Sequence, residues 1–67
     1  MIVKLLLQQE DEALDYTAKP GDTYEDALLS FGINPDTVLI FFQGVSIPQD
    51  KIIEEDAVKI ISTCTRG

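Results

Sequence analysis

One short stretch, residues 22–32, is the part of this chain whose apolar spacing calls for a helix; the flanking apolar runs are strand-like. Asp22 is placed to cap that helix, and Glu25 three residues later completes a capping-box-like pair. Tyr24, Ala27, Leu28 and Phe31 recur at i, i+3, i+4 and i+7, which makes one apolar face. Gly32 sits where a left-handed C′ residue belongs, and Ile33 can fold back over the last turn. Asn34-Pro35-Asp36 blocks continuation. A lone helix in a chain of 67 residues has one sheet to pack against. A chain of that length buries only roughly 60% of its unfolded surface, too little for a deep enzyme cleft.

The strands follow from two-residue alternation. Ile2 to Leu7 is β-rich with Lys4 its only charge; with Lys4 facing water, Val3, Leu5 and Leu7 point inward and Ile2 and Leu6 outward. Gln8 to Glu12 is a polar turn. Ala13 to Thr17 returns as a strand with Leu14 and Tyr16 inward, and Pro20-Gly21 ends the hairpin. Thr37 to Gln43 is apolar on both sides, with Val38, Ile40 and Phe42 on one face and Leu39 and Phe41 on the other. Gln43-Gly44 suits a tight hairpin turn, Gly44 supplying a positive φ. Val45-Ser46-Ile47 is a short return strand stopped by Pro48. Lys51 to Asp56 is an irregular connection with room for one 3₁₀ turn, and Val58 to Ser62 is the last strand.

The order β-β-α-β-β-β is an α+β roll, one helix packed on a sheet. The helix covers one sheet face only. Leu39, Phe41 and Ile61 then form either a bare apolar patch for a partner or a surface lying under the connection 48–56. The chain divides into a domain, 1–62, and a polar tail, Thr63-Cys64-Thr65-Arg66-Gly67. That tail reads in two ways. It is a frayed end, or it is the working part, because glycine enters channels too narrow for any side chain.

Composition removes most chemistry. With no histidine, imidazole catalysis and His-based metal sites are excluded, and one cysteine holds neither zinc nor an iron–sulfur cluster. The glycines at 21, 32 and 44 are isolated turn residues rather than a phosphate loop. Glu54-Glu55-Asp56 is either a weak hard-cation site or a solvated turn. Cys64 has only Arg66 nearby to lower its pKa, a poor setting for a nucleophile. The chain is therefore read as a non-enzyme. Twelve acids against five bases give a net charge of −7, which repels nucleic acid and anionic membranes and favours a basic protein partner. A single cysteine and a start unlike a signal peptide point to the cytoplasm, and no apolar run is long enough to span a bilayer.

In this order the elements resemble the β-grasp, ubiquitin-like proteins, among them the small archaeal ubiquitin-like modifiers and the ThiS/MoaD-type sulfur carriers. The stretch Val38-Leu39-Ile40-Phe41-Phe42-Gln43-Gly44-Val45-Ser46-Ile47-Pro48-Gln49-Asp50 is similar to the family's apolar strand, x-G turn, short strand and P-x-D run. Ile53-Glu54-Glu55-Asp56-Ala57-Val58-Lys59-Ile60-Ile61 is similar to its acidic turn and final strand. The spacing from Pro48 to Gly67 fits the modifier-type members; ThiS-type members usually carry a longer segment there.

The resemblance implies a monomeric carrier, with no bound cofactor, whose reactive atom is the carboxylate of Gly67. An E1-like adenylating enzyme would use MgATP to form an acyl-adenylate there. Sulfur-transfer proteins would then make a thiocarboxylate, for tRNA thiolation, molybdopterin or thiazole synthesis, or a target lysine would form an isopeptide bond. Relatives end in Gly-Gly, whereas Arg66 stands at the penultimate position here. Either the partner tolerates a side chain, or carrier activity has been lost, or the natural end is one residue longer. The contrasting reading is a non-covalent interaction domain or a regulatory subunit.

Overall fold

The computed structural model describes residues 1–63. Its elements are β1 (Ile2–Leu7), a 3₁₀ turn (Gln8–Glu10), β2 (Glu12–Thr17), α1 (Tyr24–Ser30), a second 3₁₀ turn (Pro35–Thr37), β3 (Val38–Phe42), β4 (Val45–Ile47) and β5 (Ala57–Ser62). The strands form one mixed sheet in the order β2-β1-β5-β3-β4, with β1 and β5 parallel at its centre. This is the α+β β-grasp arrangement, one helix on a five-stranded sheet.

Alternation along β1 is as read from its pattern: Val3 and Leu5 are fully buried, and Ile2, Lys4 and Leu6 are exposed. Val3, Leu5, Ile40, Val58 and Ile60 line the inner face of the sheet, and α1 packs Tyr24, Ala27 and Leu28 against them. Burial of each large apolar side chain contributes roughly 1.5–3 kcal/mol. An isolated helix below about 12 residues is marginal in water, so this layer, rather than intrinsic propensity, holds the seven-residue α1 in place. Phe31 was expected on the same face but stays 38% exposed, because it is the C-cap, where the helix ends. Its ring meets Tyr16 edge-on, with centroids 6.4 Å apart.

The helix start differs from the expected one by a residue. Thr23, not Asp22, is the N-cap: its Oγ1 accepts from the Asp26 amide at 3.2 Å, and the Asp26 carboxylate accepts from the Thr23 amide at 3.0 Å. The two earliest helical amides are satisfied by the chain after β4, Tyr24 donating to Lys51 O and Glu25 to Gln49 O. Asp22 instead accepts from the Lys19 amide at 2.9 Å and from the Tyr16 hydroxyl at 2.7 Å. These bonds hold the Asp22 carboxyl below its usual range, the Lys19 amide foremost, and the same carboxylate pushes the Tyr16 phenol up. The helix end is as expected. Gly32 has φ +75°, and the Gly32 and Ile33 amides close a Schellman pair onto Leu29 O and Leu28 O. Gln43 and Gly44 both take positive φ, the pattern of a type I′ hairpin turn.

Residues 51–56 contain no 3₁₀ turn; the two 3₁₀ turns lie at Gln8–Glu10 and Pro35–Thr37. The segment's polar backbone groups go to the helix instead. Ile52 bridges to Thr23, the Ile53 amide donates to Asp22 O, and the Ile53 side chain enters the core. The fully buried Tyr24 places its hydroxyl under the acidic turn, accepting from the Glu54 and Glu55 amides at 3.3 and 3.1 Å. Tyr24→Phe should therefore cost about 1–2 kcal/mol in urea unfolding, since two amides lose a partner while the ring still fills its site. No loss of stability would show that water replaces the hydroxyl without penalty.

Candidate functional site

The connection 48–56 runs on the helix side, tied to Asp22, Thr23, Tyr24 and Glu25, and leaves the opposite sheet face open. The connection therefore does not cover Leu39, Phe41 and Ile61. On this outer face β3 and β5 pair antiparallel, Leu39 opposite Ile61 and Phe41 opposite Lys59. The parallel β1–β5 register sets Leu6 beside Lys59. Leu6, Phe41, Ala57, Lys59 and Ile61 enclose a shallow depression of about 480 Å³. Leu39, 45% exposed, lies next to Ile61 and extends the apolar face beyond it.

The charge on this face is unlike that of the whole chain. Among strand residues pointing outward by alternation, Asp15 is the one acid, and Lys4 pairs with it at 3.2 Å. Lys59 has no ion-pair partner among the described residues. Among the described residues its ammonium is the unpaired charge on this apolar face. The other acids lie on the turns, the connection and the helix side. Lys51 there pairs with Glu54 at 2.8 Å, a bond that raises the lysine's pKa.

The structure thus brings Leu39, Phe41 and Ile61 onto one face and adds Leu6 and Lys59, which sequence reasoning did not include. Outward alternation was the available signal for Leu6, but its neighbourhood depends on parallel β1–β5 pairing, which local pattern does not encode. Of the tail, Thr63 is described: its amide donates to Thr37 O at 2.8 Å, so the chain leaves β5 pinned beside the start of β3. Cys64, Thr65, Arg66 and Gly67 lie outside the described residues. Among the described residues no group of three or more His, Cys, Asp or Glu is placed to hold a metal ion. No helix of the described residues is long and apolar enough to cross a membrane.

Residues 1–62 match the family described as Small archaeal modifier protein 2. The chain is also 34% identical over 47 residues, 70% of each chain, to an uncharacterized protein of Archaeoglobus fulgidus. The family match spans every strand and the helix of this β-grasp domain, and on that ground the chain belongs to the small archaeal modifier protein 2 family, whose members are ubiquitin-like protein modifiers.

Proposed function

We propose that this chain is a carrier activated at Gly67 by an E1-like adenylating enzyme, and that the enzyme docks on the face of Leu39, Phe41 and Ile61. The observation that carries the reading is the uncovered outer face. β5 contributes Ile61 and Lys59 to it and runs on to Thr63, the last described residue, so a partner seated there is close to the point where the tail begins. A fitting partner surface is apolar, with an acidic group opposite Lys59 and basic groups meeting the acidic rim. The division into a domain, 1–62, and a tail, 63–67, is part of this reading, and so is residence in the cytoplasm.

The chemistry follows from what a carboxylate lacks. Its carbon is a poor electrophile, and the partner's MgATP supplies AMP as a leaving group: the Gly67 carboxylate attacks the α-phosphate and pyrophosphate departs. A sulfur donor or a target lysine amine then attacks the acyl carbon and expels AMP. Attack on phosphorus requires in-line placement of the carboxylate, and Gly67, which has no side chain, suits a confined path to the phosphate. All catalytic groups belong to the partner.

Arg66 favours one competing reading, a non-covalent interaction domain or regulatory subunit that uses the same face and has lost carrier activity. Arg66→Gly separates the two in an adenylation assay. A carrier whose partner turns the arginine out of the channel shows unchanged or modestly raised activation. A rise from zero assigns the natural chain to the interaction-domain reading, and a large fall makes Arg66 a recognition residue.

A further inference from the structure

α1 is too short to cover the whole inner face of the sheet. Its seven residues span about 10 Å, whereas a six-residue strand spans about 20 Å. Beyond the helix C-cap a cavity of about 380 Å³ opens over the end of the sheet where β5 stops. Leu7, Leu14, Ile33 and Val38 line it and stay half-buried, although each packs against the core. Thr37 and Ser62 line it as well, and the Thr63 amide holds the chain to Thr37 O as it leaves the sheet. Glu10 and Glu12 stand on the rim, both exposed and neither with an ion-pair partner among the described residues. The parallel register, Leu7 beside Ile60, puts the 3₁₀ turn that carries Glu10 next to the end of β5.

We propose that this cavity is the resting site of the chain's own segment Cys64-Thr65-Arg66, with the Cys64 side chain on the apolar lining and the Arg66 guanidinium bonded to the carboxylates of Glu10 and Glu12. The alternation that turns Ile60 and Ser62 to the cavity side returns Cys64 and Arg66 to that same side. Three residues past Thr63 span at most about 10 Å, and the long arginine and glutamate side chains close the remaining gap. Cysteine behaves as a small hydrophobe, and the planar fork of arginine suits two carboxylates. Lys59, the described base nearest in sequence to the tail, turns to the opposite sheet face. A second copy's tail is the weaker occupant: two chains of net charge −7 repel each other, whereas the chain's own tail is tethered at the cavity mouth. In this resting position the tail withholds Gly67 from a partner until the ion pairs open. The resting site itself does not depend on activation at Gly67.

The test is the rate of iodoacetamide alkylation of Cys64, the single cysteine, in the full chain without any enzyme, so its outcome is separate from that of the adenylation assay. Arg66→Gln should speed alkylation about threefold, the scale of one exposed ion pair, and so should the double variant Glu10→Gln, Glu12→Gln. For an unbound tail Arg66→Gln has the opposite sign, because loss of a neighbouring positive charge leaves less thiolate. The charge swap Glu10→Arg, Glu12→Arg, Arg66→Glu should restore the protection; Glu10 and Glu12 are exposed, so these variants keep the fold. Truncation after Thr63 should shift the methyl resonances of Leu7, Leu14, Ile33 and Val38 more than those of Leu6 and Leu39 on the other sheet face. Slower alkylation of Arg66→Gln, cavity methyls indifferent to the truncation, or protection that disappears on dilution, the mark of a second copy's tail, would each overturn the proposal.

Discussion

Deletion of Gly67 is expected to abolish ATP-dependent adenylation by the E1-like partner while leaving the circular dichroism spectrum and the unfolding midpoint unchanged. Among the described residues every buried side chain lies between Val3 and Ile60, all within the domain that precedes the tail. Loss of the terminal glycine moves the carboxylate one residue back and puts it on Arg66, whose side chain then stands at the reacting end. Misplacement of a reacting group by even an ångström costs orders of magnitude in rate. Pyrophosphate exchange measures this step directly. A deletion variant that still exchanges at the parent rate assigns activation elsewhere.

The second large effect is expected at the sheet face. Phe41→Asp should weaken docking of the adenylating enzyme by about 2 kcal/mol or more, since central aromatic anchors dominate such interfaces. Half-buried Phe41 lies on the face opposite the helix, between Ser46 and Lys59 on neighbouring strands. Its replacement should cost the isolated domain about 1 kcal/mol, within the ordinary range for a site outside the core. Calorimetric titration and urea unfolding of the same variant separate the two quantities. Global unfolding would place Phe41 in the core; unaltered affinity would move the docking site off this face.

Most of the fold was legible because periodicity is a local property. Lys4 set the phase of β1, the apolar spacing in 24–31 marked the helix, and Gly32 and Gly44 marked turns that only a positive φ permits. Errors arose where two local solutions were equivalent or where the outcome was tertiary. Asp22…Glu25 and Thr23…Asp26 are the same capping pattern one residue apart. The choice fell to Thr23 because Tyr16 and Lys19 claim the Asp22 carboxylate, and Thr23 bridges to Ile52. Ile53 joined the core from an irregular segment without alternation, so no pattern announced it. The outer sheet face was half legible. Leu39, Phe41 and Ile61 follow from strand alternation, but Leu6 and Lys59 come together only through strands distant in sequence.

Arginine at the penultimate position makes activation the point on which the functional account turns. Incubating the full chain with an E1-like adenylating enzyme, MgATP and a sulfide donor, then recording intact mass and fragment ions, tests it most directly. The account predicts a mass gain equal to replacement of one oxygen by sulfur, located on Gly67 and absent without ATP. An unchanged mass, under conditions in which the enzyme activates a Gly-Gly-ended relative, would contradict it.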